Sequence, residues 1–151
     1  LNLNKEKIET EDFLNAIIED FKIANPKINI QMRFSTQNTT LVLDQFHLTT
    51  AILNVLENAV KYGSNTIFIK TNLQQNQFNI SIQDDGIGIS KNKHSLLFDK
   101  FYRVEQGNLH NTKGLGLGLY YVNQIVKAHQ GSIAVAGDLG NGTLFTIMLK
   151  V

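Results

Sequence analysis

The stretch 65–84 restricts the fold class more tightly than any other part of the chain. Residues 65–73 and 77–84 both alternate apolar and polar side chains, with Phe78, Ile80 and Ile82 marking one face of the second segment, and Gln74, Gln75 and Asn76 join them. Period-two alternation across a short polar turn specifies an antiparallel hairpin with one face buried and the other in water. Such a sheet needs helices on its apolar face, and the flanking sequence supplies them. Phe13, Leu14, Ile17, Ile18 and Phe21 recur at helical spacing after Thr10, which is expected to cap the helix with Glu11 and Asp12 in the first turn; Asn25-Pro26 ends it. Leu48, Ile52, Val55, Leu56 and Ala59 form a core-facing stripe on a second helix expected over 44–61, and a third is expected over 116–129. Ile28, Ile30, Met32 and Phe34 alternate as a strand, 40–43 reads as a short strand, and 132–136 with 143–151 read as a closing hairpin. Strands and helices mix without the strict alternation of a parallel sheet. The expected architecture is therefore α+β: a two-layer α/β sandwich with a mixed, mostly antiparallel sheet and three main helices on one face.

Composition narrows the classes further. With 151 residues, 42% of them hydrophobic, and one proline, the chain can cover one core and is too short for two ordinary domains, so 1–151 is read as one domain. A net charge of +1 lacks the basic surplus of a nucleic-acid binder. The absence of cysteine excludes disulfides and thiolate metal sites and suits a reducing interior. No run approaches the ~18 uncharged apolar residues of a membrane span. The opening residues Leu1-Asn2-Leu3-Asn4 match neither a signal sequence nor a start site, so a piece of a longer protein is expected.

Three short segments carry chemistry. Asn54 and Asn58 lie one helical turn apart at the edge of the apolar stripe, just before Lys61 and Tyr62. Magnesium takes oxygen ligands, usually only one or two from protein, and the Asn58 amide oxygen can be one of them. Asn54 can then order a metal-bound water or the phosphate chain, while Lys61 supplies a point charge. Asp84 ends an alternating strand where Gly86 and Gly88 begin a turn. Its carboxylate only accepts hydrogen bonds; the exocyclic amine of adenine donates one, whereas guanine presents an oxygen there, so the site can favour ATP over GTP. Gly114, Gly116 and Gly118 sit where a loop becomes a helix, allowing main-chain N–H groups to approach phosphate oxygens. Each segment alone is commonplace, since solvated mid-helix asparagines and acidic glycine turns are frequent. Their order and spacing together describe a site for adenine, magnesium and triphosphate.

On these residues the chain resembles the catalytic ATP-binding domain of bacterial sensor histidine kinases, in the superfamily shared with gyrase B, MutL and the heat-shock chaperone ATPases. The segment 54–62 is similar to the family's N box, 84–88 to its first glycine box, 97–103 to its F box, 114–118 to its second glycine box, and Gly140-Asn141-Gly142-Thr143 to its third. The resemblance implies the Bergerat ATP-binding fold and assigns Asn58 to magnesium, with Asn54 and Lys61 at the metal shell or phosphates. It places Tyr62, Asp84, Gly86, Gly88 and Thr143 around the nucleotide, and Lys113, Gly114, Leu115, Gly116, Leu117 and Gly118 at the phosphates. Arg103 would reach the terminal phosphate during transfer, and Glu57 would polarise the acceptor imidazole. Residues 104–113 become a lid hinged near Gly107 and Gly114, with Phe98 and Phe101 as packing anchors.

The same resemblance implies the activity. The domain would bind Mg-ATP and pass the γ-phosphoryl group to a histidine on an upstream dimerising helical hairpin, which in turn serves a response regulator in two-component signalling. Superfamily ATPases carry glutamate where Asn54 stands, and asparagine cannot take a proton from water, so slow intrinsic hydrolysis is expected. His47 reads as a helix-surface residue, His94 and His110 as loop residues, and His129 as an ordinary helix end, so no acceptor histidine is visible and the piece alone should not phosphorylate itself. A monomeric cytoplasmic domain is expected, with a homodimeric parent that can sit in the cell membrane. The alternatives are an anti-sigma-type protein serine kinase, or a catalytically silent nucleotide-binding interaction module.

Overall fold

A computed structural model of the chain describes residues 1–34, 38–102 and 118–151. In order along the chain, the elements are β1 (Glu6–Glu9), α1 (Thr10–Ala24), β2 (Asn29–Arg33), β3 (Thr40–Leu43), α2 (Gln45–Lys61), β4 (Thr66–Gln74) and β5 (Gln77–Asp84). A 3-10 turn (Lys91–Leu96), α3 (Gly118–Ala128), β6 (Ser132–Gly137) and β7 (Thr143–Lys150) follow. Five strands form one sheet in the order β2-β4-β5-β7-β6. β2 runs parallel to β4, and every other pairing in that sheet is antiparallel, giving the mixed, mostly antiparallel sheet that the alternation predicts.

Alternation decides which face is covered. Ile67 and Ile69 of β4, Ile80 and Ile82 of β5 and Ile147 of β7 are buried, while Phe68 and Lys70 between them stay exposed. The buried set packs with Leu14 and Ile18 of α1, Leu48, Ile52 and Leu56 of α2, and Val122 and Val126 of α3 in one core on one side of the sheet. Each fully covered Leu or Ile contributes roughly 1.5–3 kcal/mol relative to exposure, so this side holds the layers together. The opposite side carries Gln31, Lys70, Ser81 and Gln83 and faces water, as one-sided sheets do. At the β4–β5 turn, Gln74 already pairs with Gln77, so only Gln75 and Asn76 form the loop, with φ of 51° and 60°. Two left-handed residues match the right-handed twist of the strands they join. Among the described residues no helix is long and apolar enough to cross a membrane.

Two local expectations are corrected. Thr10 is the first residue of α1 and not its cap; the cap position is Glu9, which makes no side-chain cap bond. The Glu11 N–H instead donates to Asn38 Oδ1 at 3.2 Å, and Thr10 Oγ1 accepts from the Thr39 N–H at 3.3 Å. A side chain from a distant loop thus does the work usually done by the preceding residue. The second correction is a small separate sheet, β1 antiparallel to β3, that was not expected from the sequence.

Asp44 caps α2. Its Oδ1 accepts the His47 N–H at 2.9 Å, and its Oδ2 accepts the Asn4 N–H at 2.7 Å and lies 2.9 Å from His47 Nδ1. His47, expected on the helix surface, is turned back onto this cap. Burial pushes the Asp44 carboxyl up, but the N–H groups of His47 and Asn4 and the His47 imidazole outweigh it and hold the pKa at about 2. A depressed carboxyl stabilises the fold above its unfolded pKa, and that stability is lost as pH falls through the folded value. Asp44→Ala is expected to cost about 1–2 kcal/mol at neutral pH. Urea unfolding as a function of pH should show the difference from wild type shrinking between about pH 4 and about pH 2; a gap that persists in acid would remove the carboxylate from the explanation.

Candidate functional site

Two groups of predicted residues come together, one at each end of a line along α2. The first forms around Asp84, the last residue of β5, which is buried although charged. Its Oδ1 accepts the Gly86 N–H at 2.9 Å and the Thr143 N–H at 3.2 Å. Both backbone donors converge on one oxygen, so Oδ2 is the atom left to accept a hydrogen bond from outside. Burial pushes the Asp84 carboxyl up; the Gly86 N–H, the Ser64 hydroxyl and the Thr143 N–H oppose that, and the neighbouring Asp85 charge adds to it, for a net rise. The Ser64 hydroxyl is buried and completes no hydrogen bond of good geometry, so its influence is that of a nearby dipole.

Close backbone approach explains the glycines here. A Cβ on Gly86 would lie 2.7 Å from the Tyr62 carbonyl oxygen and 2.9 Å from Ser64 Oγ, so the turn after Asp84 packs directly on the end of α2. Ile87 zips the same turn on both sides, donating to the Tyr62 carbonyl at 3.2 Å and accepting from the Gly140 N–H at 2.7 Å. Gly142 has φ of +70°, and a Cβ there would fall 2.0 Å from the Asp84 carbonyl oxygen. Gly88 likewise meets the Asp138 carbonyl. Tyr62, Asp84, Gly86, Gly88 and Thr143 therefore belong to one cluster.

The second group lies between helices. Asn54 and Asn58 are half-buried along the edge of α2, one turn apart, while Glu57 and Lys61 are exposed. The first described residue of α3, Gly118, sits against Asn54: a Cβ on it would lie 3.5 Å from Asn54 Oδ1. The first described turn of α3 thus lies beside the asparagine edge of α2. Arg103, Lys113, Gly114, Leu115, Gly116 and Leu117, with the expected lid and His110, lie outside the described residues.

Several expectations change and one contributor is new. Phe98 does pack, meeting Phe145 edge-on with ring centroids 6.3 Å apart. Phe101 does not: it is 62% exposed with φ of 67°, and Lys100 Nζ lies 5.4 Å from its ring and 5.7 Å from that of Tyr120. His94, expected in a loop, lies in the 3-10 turn, with Nε2 3.0 Å from the Ile89 carbonyl oxygen. His129, expected as an ordinary helix end, is buried and bonded through both ring nitrogens. Asp85 was not singled out by the sequence, yet its Oδ1 accepts the Asn65 and Thr66 N–H groups at 2.8 and 3.0 Å and ties the glycine turn to the start of β4. Those bonds, the Thr66 one first, hold its carboxyl below the usual range. Its signal in the sequence was the doubled aspartate, since a short acid at a strand end readily accepts from nearby backbone.

Comparison with known proteins gives a consistent result. Residues 43–151 match the family model described as histidine kinase-, DNA gyrase B-, and HSP90-like ATPase. The chain is 37% identical over 155 residues to the sensor protein RprX of Bacteroides fragilis, covering 99% of this chain and 30% of that one, so it spans about a third of that relative's length. Among solved structures, it superposes on the mycobacterial sensor histidine kinase MprB with a TM-score of 0.82 at 24% identity, covering 97% of each chain. It superposes on full-length ShkA in complex with AMPPNP with a TM-score of 0.85 at 25% identity, covering 99% of this chain and 31% of that one.

The contact of Gly142 with Asp84 can be separated from the left-handed turn that contains it. Gly140 also has positive φ, 84°, but a Cβ there would meet nothing within 4 Å. Gly140→Ala is expected to cost about 1 kcal/mol for the backbone alone, and Gly142→Ala at least about 2 kcal/mol more, because the Asp84 carbonyl must move. Thermal unfolding of the two variants decides this, and equal losses would show that the close approach carries no weight.

Proposed function

The chain belongs to the family of histidine kinase-, DNA gyrase B- and HSP90-like ATPases, on its sensor histidine kinase branch, and from that premise we propose that it binds Mg-ATP and donates the γ-phosphoryl group to a histidine of a separate helical hairpin in two-component signalling. The observation that carries the reading is the Asp84 carboxylate, with Oδ1 saturated by Gly86 and Thr143 and Oδ2 left as acceptor. An adenine amine is the donor that completes it, and the guanine oxygen would face it lone pair to lone pair. Tyr62 and the glycine turn at Gly86 and Gly88 line the base; Asn54, Asn58, Lys61 and the start of α3 at Gly118 take the phosphates.

Among the described residues no group of three or more His, Cys, Asp or Glu is placed to hold a metal ion. The donor set fits magnesium nonetheless, because the Asn58 amide oxygen is a hard ligand and the nucleotide brings phosphate oxygens. When bound, the ion would offset phosphate charge. In the transfer, the unprotonated imidazole nitrogen of the acceptor attacks the γ-phosphorus as the bond to the bridging oxygen breaks and ADP leaves. Arg103 would oppose the charge spreading over the moving group, and Glu57, exposed on α2 next to Asn58, would take the hydrogen bond of the other imidazole nitrogen. Asn54 has no basic atom with which to activate water, so the bound triphosphate persists until an acceptor arrives.

Two measurements test this. Calorimetry should give an ATP heat in magnesium, none for GTP, and loss of the ATP heat in Asp84→Asn. Because the adenine amine needs the ionised acid and the Asp84 pKa is raised, wild-type ATP affinity should fall on acidification at a higher pH than an ordinary aspartate would give. Equal binding of ATP and GTP would refute the assigned base contact. The second is phosphotransfer in trans: with radiolabelled ATP, label should appear on an added histidine-bearing hairpin from a related kinase and not on the chain alone, and Asn58→Ala should lower it by about 100-fold or more. Label on serine instead would replace histidine as the acceptor.

A further inference from the structure

The buried imidazole of His129 lies at the far end of the α2–α3 pair from the phosphate-facing residues. It is only 8% exposed. The Asp44 N–H donates to its Nε2 at 3.0 Å, across 85 positions of sequence, and its Nδ1 is 2.8 Å from the Ile125 carbonyl oxygen. A backbone N–H can only donate and a carbonyl only accept, so the ring must be neutral with its proton on Nδ1. One planar group therefore joins the last turn of α3 to the N-cap residue of α2. The cap is itself anchored, since Asp44 Oδ2 accepts the Asn4 N–H ahead of β1.

The two helices run antiparallel, the end of α3 meeting the start of α2 and Gly118 meeting Asn54. Asp44 stands at the start of α2 and Asn54 ten residues along it, roughly 15 Å; from His129 back to Gly118 along α3 is roughly 16 Å. One end of the pair is the imidazole bridge, and the other is the contact of Gly118 with Asn54. Apolar contacts along the seam, such as Val122 and Val126 against the α2 stripe, resist separation but are weakly directional along the axis. A bond to a fixed backbone N–H is directional. Sliding α3 by one residue, about 1.5 Å, would break it and shift the helix start by the same amount relative to Asn54.

We infer that His129 is a positioning residue: its imidazole bridge between Asp44 and Ile125 fixes the axial register of α3 on α2, and so sets the phosphate end of the nucleotide site without touching nucleotide. This rests on the ATP-binding reading above. The base end, built from Asp84, Gly86 and Thr143, has no part in the bridge. Loss of the bridge should therefore weaken binding of the triphosphate and spare ligands held mainly by the base. General destabilisation would not discriminate between them.

The test compares ATP and AMP affinities of the 151-residue chain, in magnesium, for wild type, His129→Phe and His129→Gln. Phe keeps a ring and removes both bonds; Gln restores an acceptor for the Asp44 N–H. The expected result is about a tenfold loss of ATP affinity in His129→Phe, AMP affinity unchanged within about twofold, and substantial recovery of ATP binding in His129→Gln. Nitrogen-15 spectra of the wild-type imidazole provide a readout that needs no variant to fold: the Nδ1–H tautomer should be present, and the ring signals should move on adding ATP but not AMP. An unchanged ATP-to-AMP ratio in a folded His129→Phe, parallel losses of both ligands, or an imidazole indifferent to ATP would overturn the inference. A wild-type chain that binds neither nucleotide would instead overturn the functional reading and take the inference with it.

Discussion

Asp84 Oδ1 accepts the main-chain N–H groups of Gly86 and Thr143 while the Asp84 carbonyl lies under Gly142, so segments far apart in sequence meet at one buried acid. Burying a carboxylate is costly, and the raised pKa records that cost. Two backbone donors offset part of it. They also fix the carboxylate plane, because each donor belongs to a turn that is itself held elsewhere: the first by Tyr62 and Gly140 through Ile87, the second by the β5–β7 ladder. An acid restrained in this way offers its remaining oxygen in one direction. On the proposed reading, that direction selects for a hydrogen-bond donor.

The second constraint is that α2 has to serve two purposes. Leu48, Ile52, Val55 and Leu56 are almost wholly buried and hold the helix on the sheet. Asn54 and Asn58 add nothing to helix propensity, since asparagine competes for backbone bonds when mid-helix. They are tolerated because burial of the stripe, roughly 2 kcal/mol per large side chain, far exceeds the few tenths lost at each asparagine. The i, i+4 spacing puts both amides on one edge, and that edge meets the start of α3 at Gly118.

Legibility in the sequence followed the range of the interaction. The β4–β5 hairpin, the α2 stripe and the order of the glycine segments were readable because period and turn chemistry are local. β1 was missed because Glu-Lys-Ile-Glu carries one buried residue, Ile8, and gains its strand character only by pairing with β3. Thr10 looked like a cap since nothing local reveals that Asn38 reaches back to the Glu11 N–H. His129 looked ordinary for the same reason, its partner being the backbone of Asp44. Phe101 carried the signature of a core aromatic, but its left-handed backbone turns the ring outward beside Lys100. At the candidate site, type and spacing single out Asn54, Asn58 and Asp84, whose side chains lie along one edge of α2 and at the end of β5. Asp85 and His129, whose bonds are to main-chain groups, are not legible in that way.

These two constraints divide the molecule by mechanism. The Asp84 cluster is built on the sheet, whose strands are cross-linked by ladders and whose turns are locked by glycine contacts no side chain could share. The contact of Asn54 with Gly118 is built between two helices that meet along a seam of apolar side chains. Sheet register changes only in whole steps, because a slip of one residue would turn Ile80 and Ile82 out to water. Helix pairs admit smaller axial shifts, limited by the polar bonds at their ends. On the proposed reading, recognition of the base is accordingly rigid, while placement of the terminal phosphate depends on a few directional bonds. A phosphoryl donor benefits from that division: the nucleotide can stay bound by its base while the helix pair sets whether the reacting phosphate is aligned.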